Sequence, residues 1–147
     1  MKKQIYTAAT ILMLIGILGA TAEAQSVNGI SMRANIPFEF SVGDKILPAG
    51  EYRIQQVNPS SDLVMLQIAT ADGEARLLVR VQSIHSTNAR RTMLVFNRYG
   101  SSYFLSTLGI EGAMDSWQAP KSRAERSVRS ELAALKINGE RVAVLAR

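Results

Sequence analysis

The chain has 147 residues, a formal net charge of +5, one histidine and no cysteine. The lack of cysteine excludes disulfides, thiolate nucleophiles and cysteine-based zinc or redox sites, and a single histidine argues against a transition-metal centre. The length is that of one ordinary domain, which can bury a core without metal or disulfide support.

The N-terminus has the three parts of a secretory signal peptide. Met1-Lys2-Lys3 is basic, residues 8–20 are largely apolar, and Ala22-Glu23-Ala24 places small residues where signal peptidase recognises them. We predict that residues 1–24 are a cleaved signal peptide. An uncleaved anchor is the alternative, but the apolar run is shorter than the ~20 residues of a membrane-spanning helix, so no stable transmembrane segment is expected after cleavage.

The mature chain, residues 25–147, is predicted to be a single β-rich domain exported to the periplasm or the extracellular space. Lys2, Lys3 and Glu23 leave with the signal peptide, so its formal charge is +4. In an exported protein this mild excess favours anionic envelope surfaces, such as phospholipid headgroups or acidic polysaccharide, over nucleic acid.

The stretch 36–54 predicts a strand, a tight connection and a returning strand. Apolar side chains alternate with other residues over 36–40 and again over 51–55, which is the period of a half-buried strand. Gly43-Asp44 and Pro48-Ala49-Gly50 supply the turns, since proline fixes φ and glycine accepts positive φ. The second strand is expected to lie against the first.

Further along the chain, apolar or alternating segments predict more strands, separated by turn signals such as Asp72-Gly73 and Gly100-Ser101-Ser102. These segments are 63–69, 76–86, 93–99 and 103–108. Residues 109–119 show no strand pattern and are expected to be irregular.

The hydrophobic period changes to a helical one after Pro120, and we predict a helix over about 121–136. Ser122 and Glu125 fit a capping box, in which each side chain bonds a free N–H of the first turn. Glu125 is also placed for a pair with Arg129, four residues further on.

The helix combines an apolar stripe with basic flanks. The stripe is expected to face the sheet and consists of Ala124, Val128, Leu132 and Leu135. Arg123, Arg126 and Arg129 are the candidate surface for an anionic partner, with an anionic membrane surface among the candidates; solvated arginines on an exposed face are the alternative. Asn138-Gly139 is expected to end the helix before a last strand at 141–146.

Three aromatic residues are candidates for a ligand-binding face. Tyr52, Tyr103 and Trp117, the only tryptophan, would line a concave sheet face that takes a carbohydrate or another small molecule. The alternative for Trp117 is a purely structural role as a packing anchor in the irregular segment.

The chain shows no recognisable catalytic constellation. Acid–base and nucleophilic mechanisms near neutral pH usually employ a histidine, and His85 is the only one, late in a predicted strand. No GxSxG, calcium-loop or phosphate-cradling glycine pattern is present. We therefore predict no catalytic residue, no cofactor and no metal site.

Together these segments predict a mainly β fold, an antiparallel β-sandwich or partly open barrel of about seven or eight strands with one C-terminal amphipathic helix. The predicted function is non-enzymatic binding of an unidentified protein or cell-envelope component. A small-molecule or carbohydrate-binding module is the first alternative, and a hydrolase using His85 is the second.

The opening stretch carries the pattern IPFxFxVGxxxLPAGxY, from Ile36 to Tyr52. Together with Arg98-Tyr99-Gly100, Tyr103-Phe104-Leu105 and Pro120-Lys121-Ser122, this pattern resembles a family of small, uncharacterised exported proteins from acidobacterial and similar soil bacteria. The resemblance implies a secreted β-rich domain, and it carries over no catalytic or binding residue.

Overall fold

A computed structural model of the protein describes residues 29–86 and 89–147. The predicted signal peptide, residues 1–24, lies outside the described residues. The described strands and helix follow one another as β1 Ser31–Ile36, β2 Phe40–Val42, β3 Lys45–Leu47, β4 Gly50–Gln56, β5 Val64–Thr70, β6 Arg76–His85, β7 Met93–Tyr99, β8 Ser102–Gly109, β9 Asp115–Gln118, α1 Arg123–Ala134 and β10 Glu140–Leu145.

The predicted mainly β fold with one helix near the C-terminus is confirmed. The described part of the chain has ten strands rather than seven or eight, for three reasons. Pro37 has no backbone N–H, and the strand predicted over 36–40 is interrupted there and resumes as β2. The short β3 forms between the two turns of the opening stretch, and β9 forms within 109–119; the sequence predicts neither strand.

The ten described strands belong to one hydrogen-bonded sheet that does not close into a barrel. Its path runs β1-β4-β5-β6-β9-β8 and continues through β7 to β10. The short β2–β3 hairpin joins the sheet through β2, which pairs with β8 in parallel, whereas the other ladders are antiparallel.

The returning strand of the opening stretch does lie against the first. β1 and β4 pair in antiparallel register from Ser31 with Gln55 to Ile36 with Gly50. The β2–β3 hairpin between them pairs with β8 instead. Residues 37–39 are therefore the point at which the chain leaves the β1–β4 pair and crosses to β8.

The core contains close-packed aromatic rings from several strands. Tyr52, Phe40 and Phe96 are among its largest fully buried side chains. The Phe40 ring meets the Tyr52 and Phe96 rings edge-on, at centroid distances of 5.2 and 5.4 Å. The Tyr52 hydroxyl donates to the Pro48 carbonyl over 2.7 Å, which anchors the second turn of the opening stretch to the core.

A β-bulge in β8 lets both faces of this strand be buried. Val95 pairs with Thr107 and Phe96 with Leu105, so Ser106 is the extra residue. Leu105 packs in the core, and its neighbour Phe104 is buried on the opposite face of the sheet. That second face needs a cover, and the helix provides it.

The helix α1 lies over the outer face of β7 and β8. Alternation along β7 directs Phe96 to the core and Asn97 and Tyr99 to the outer face. Asn97 Nδ2 donates to Glu125 Oε1 over 2.8 Å. The helix is therefore attached through a polar contact at its N-terminal end.

The predicted apolar stripe of the helix is only partly covered. Val128 and Leu132 are half-buried, whereas Ala124 is exposed and Leu135 is 68% exposed. The most buried residue of α1 is Glu125, at 2% exposure. The expectation that the whole stripe faces the sheet is wrong, because Asn97 on β7 draws the carboxylate inward in its place.

Both ends of the helix are capped. Ser122 Oγ accepts from the Glu125 backbone N–H over 2.9 Å, which is one half of the predicted capping box. At the other end Lys136 N–H donates to Ala133 and Ile137 N–H to Leu132, the bonding pattern of a Schellman motif. The prediction that Asn138-Gly139 ends the helix is wrong, because Lys136 occupies the left-handed position, with φ of 58°.

Candidate functional site

A cavity of about 520 Å³ lies between α1, the end of β7 and the start of β10. Three cationic residues from three segments line it: Lys121 before the helix, Arg129 on the helix and Arg141 on β10. We call it the basic cavity. Its other lining residues are Asn97, Tyr99, Ala133, Ile137, Asn138, Gly139 and Glu140.

The chain after the helix forms one wall of the basic cavity by packing tightly on β7. Gly139 approaches the Tyr99 ring so closely that an added Cβ would lie 2.8 Å from Tyr99 Cδ1 and closer still to Cε1. The β10 register then pairs Glu140 with Arg98 and Arg141 with Asn97. A glycine at position 139 is therefore what lets the chain enter β10 in the register that brings Arg141 to the cavity.

The charges around the basic cavity leave an excess of cations. Glu140 is the only acidic residue of the lining described above, and its carboxylate pairs with Arg98 Nη1 at 3.3 Å. Glu125 is buried beside the cavity, where it accepts from Asn97. The three cations Lys121, Arg129 and Arg141 thus face a space whose one lining acid already has a partner.

The phenol of Tyr99 interacts with two opposite charges at this site, those of Glu125 and Arg129. Burial raises the pKa of its phenol above the usual range, the carboxylate of Glu125 raises it further, and the guanidinium of Arg129 opposes the rise. The phenol therefore stays protonated well above neutral pH and is available as a hydrogen-bond donor.

The three predicted arginines do not all line the basic cavity. Each step of three residues turns a helix by ~60°, so Arg123, Arg126 and Arg129 lie beside one another over roughly a third of its circumference. Arg126 Nη1 donates back to the Lys121 carbonyl over 3.1 Å, and Arg123 is exposed. Only Arg129 lines the basic cavity, where Lys121 and Arg141 join it.

Glu125 is buried instead of forming the expected pair with Arg129 on the surface of the helix. Among the described residues its carboxylate forms no salt bridge with Arg129, the pair expected from their spacing. It accepts from Asn97 instead. The signal in the sequence is Asn97 itself, an amide that directly follows the apolar run MLVF at residues 93–96.

The three aromatic candidates do not share one open face. Tyr52 is 1% exposed and packs on Phe40, so it cannot present its ring to a ligand. Tyr103 is half-buried and stacks on Phe38 at a centroid distance of 3.8 Å. Trp117 is half-buried on β9 and packs against the core, opposite Leu108 of β8.

His85 lies at the end of β6, opposite Asp115 of β9. Its Nδ1 is 3.4 Å from Asp115 Oδ1, and its side chain is 85% exposed. An imidazole in that position is solvated rather than enclosed in a pocket, and an exposed pair of this kind contributes little to stability.

In comparisons with protein-family models, curated proteins and solved structures, none matches this chain. The resemblance to small exported proteins of acidobacterial type therefore stays a prediction. Over residues 29–86 and 89–147, the structure contains no helix of the length and hydrophobicity needed to cross a membrane.

Proposed function

We propose that the protein is an exported, non-enzymatic β-domain that binds an anionic group of an envelope component in the basic cavity. The observation that supports this most directly is the convergence of Lys121, Arg129 and Arg141 on one space of about 520 Å³. The three residues come from separate segments, so their meeting is a product of the fold and not of a local run of charge.

The composition of the cavity favours an oxyanion such as a phosphate or a carboxylate. Arginine presents a planar fork that binds two oxygens of such a group at once, and a lysine ammonium adds a third donor. Asn97 and Tyr99 add an amide and a phenol to the same lining. A cavity of this volume is within the range of small-ligand sites, about 300–1,000 Å³.

The test compares two arginines on the same helix. Mature protein, Arg129→Gln and Arg123→Gln are titrated with glycerol phosphate and, separately, with galacturonate, and affinity is measured by calorimetry or by amide chemical shifts. Arg129→Gln should weaken binding about fivefold, since two opposite unit charges about 4 Å apart in water attract by about 1 kcal/mol. Arg123→Gln removes the same charge outside the cavity and should bind like the unchanged protein.

Added salt should weaken binding of the unchanged protein, because it screens these partly exposed charges. Equal loss of affinity in both variants would mean that only the net charge matters. The basic cavity would then not be the site.

A further inference from the structure

The turn that follows the helix presents apolar side chains to solvent at the edge of the basic cavity. Leu135 is 68% exposed and Ile137 is 52% exposed, and they flank the exposed Lys136. Ile137 also lines the cavity. We call residues 135–137 the apolar tip.

The conformation of the apolar tip is fixed by the backbone. The left-handed Lys136 reverses the chain, and the N–H groups of Lys136 and Ile137 are bonded to Ala133 and Leu132. Leu135 N–H is bonded as well, to Glu131 and Leu132. The tip is therefore a capped turn that holds two large apolar side chains outside the core.

A single exposed leucine or isoleucine is ordinary on a protein surface. The apolar tip differs because two such side chains lie within three residues and beside three cations. Apolar side chains next to basic ones are the arrangement by which peripheral proteins bind anionic bilayers: the apolar groups enter the headgroup boundary and the cations contact lipid phosphates.

We propose that the partner is an anionic phospholipid surface, with Leu135 and Ile137 inserted among the headgroups and one lipid phosphate held by Lys121, Arg129 and Arg141. This inference rests on the proposed function, because it identifies the source of the anionic group. Charge complementarity and the exposed apolar pair together favour a bilayer over a soluble polyanion, which would bind the cations and leave Leu135 and Ile137 in water.

The experiment distinguishes the contribution of the apolar tip to vesicle binding from that of the basic cavity. Mature protein is mixed with vesicles of phosphatidylglycerol and phosphatidylcholine in equal parts, and with vesicles of phosphatidylcholine alone, and the bound fraction is measured by co-sedimentation. The test variant is Leu135→Ser, because Leu135 belongs to the apolar tip and not to the lining of the basic cavity. The matched control is Leu78→Ser, which removes a leucine that is 58% exposed and also lies outside the lining of the cavity.

The unchanged protein should bind the anionic vesicles and not the neutral ones. The tip variant should bind the anionic vesicles at least about threefold more weakly, because it loses one of the two apolar contacts, yet keep its affinity for glycerol phosphate. The control variant should match the unchanged protein in both assays. Retained affinity for glycerol phosphate also shows that the tip variant is folded.

Three results would overturn the inference. Unchanged vesicle binding by the tip variant would show that the apolar tip does not insert. Binding of glycerol phosphate or galacturonate without binding of anionic vesicles would leave the proposed function standing and remove the bilayer as partner. Binding of none of these probes would remove both proposals.

Discussion

The two faces of β7 differ in how they are packed. On the inner face, Phe96 is fully buried, and the Phe38 and Phe40 rings meet it edge-on at 5.2 and 5.4 Å. On the outer face, Asn97 and Tyr99 are half-buried under a helix whose most buried side chain is a carboxylate. One strand thus supports the core on one side and positions a polar, cation-lined cavity on the other.

This difference separates the face of β7 that stabilises the core from the face that lines the proposed binding site. The inner face is apolar and close-packed, so it should carry most of the folding free energy. The outer face buries few apolar groups, and its helix should open more readily than the sheet. Substitutions on adjacent residues of β7 can therefore test whether the two roles are separable.

The largest effect is expected on the inner face. Phe96→Ala removes a fully buried ring that contacts two other aromatic rings, and it should lower the free energy of unfolding by about 3–5 kcal/mol. Tyr99→Ala removes a half-buried aromatic ring from the outer face of the same strand, so it is the matched control and should cost less than half as much. Chemical denaturation of both variants measures the difference. If both variants lose similar free energies of unfolding, the two faces of β7 contribute equally to stability.

The next effect is expected where the helix meets β7. Asn97→Ala removes the donor to the buried Glu125 carboxylate, and a hydrogen bond to a charged group is worth about 1.5–3 kcal/mol. The loss should appear first as faster amide hydrogen exchange in α1, because this contact attaches the helix to the sheet.

A double-mutant cycle isolates the contact between Asn97 and Glu125. Once Glu125→Ala has removed the acceptor, Asn97→Ala should cost little more, since its partner is already gone. If the two single changes lower the free energy of unfolding additively, the side chains are not energetically coupled. The conclusion that this hydrogen bond attaches the helix to the sheet would then be wrong.

Local patterns in the sequence predict most of the inner face and little of the outer one. A period of two identifies β4, an apolar segment before the Gly100-Ser101-Ser102 turn identifies β7, and Ser122 marks the start of α1, because these signals depend on near neighbours. The cavity depends on long-range register: Arg141 reaches it only because β10 pairs with β7, and Lys121 because α1 lies over that strand. A pattern on the helix alone groups three arginines, of which only Arg129 lines the cavity.

The turn after the helix also shows that a local sequence pattern does not predict long-range packing. Asn138-Gly139 is the stronger chain-reversal signal, yet Gly139 serves close packing on Tyr99 and the reversal occurs at Lys136. A side chain at a left-handed position costs about 1–2 kcal/mol relative to glycine. That strain is tolerated at the edge of the basic cavity, where the exposed Lys136 side chain adds positive charge to the apolar tip.

The smallest effect is therefore a gain in stability. Lys136→Gly should raise the free energy of unfolding by about 1 kcal/mol relative to Lys136→Ala, because both lose the charge and only glycine relieves the backbone strain. Thermal melting measures the difference. Both variants should bind anionic vesicles more weakly than the unchanged protein and to the same extent, since the lost charge is common to them. If Lys136→Gly instead melts no higher than Lys136→Ala, the turn is not strained; if it also binds as the unchanged protein does, the lysine serves neither stability nor recognition.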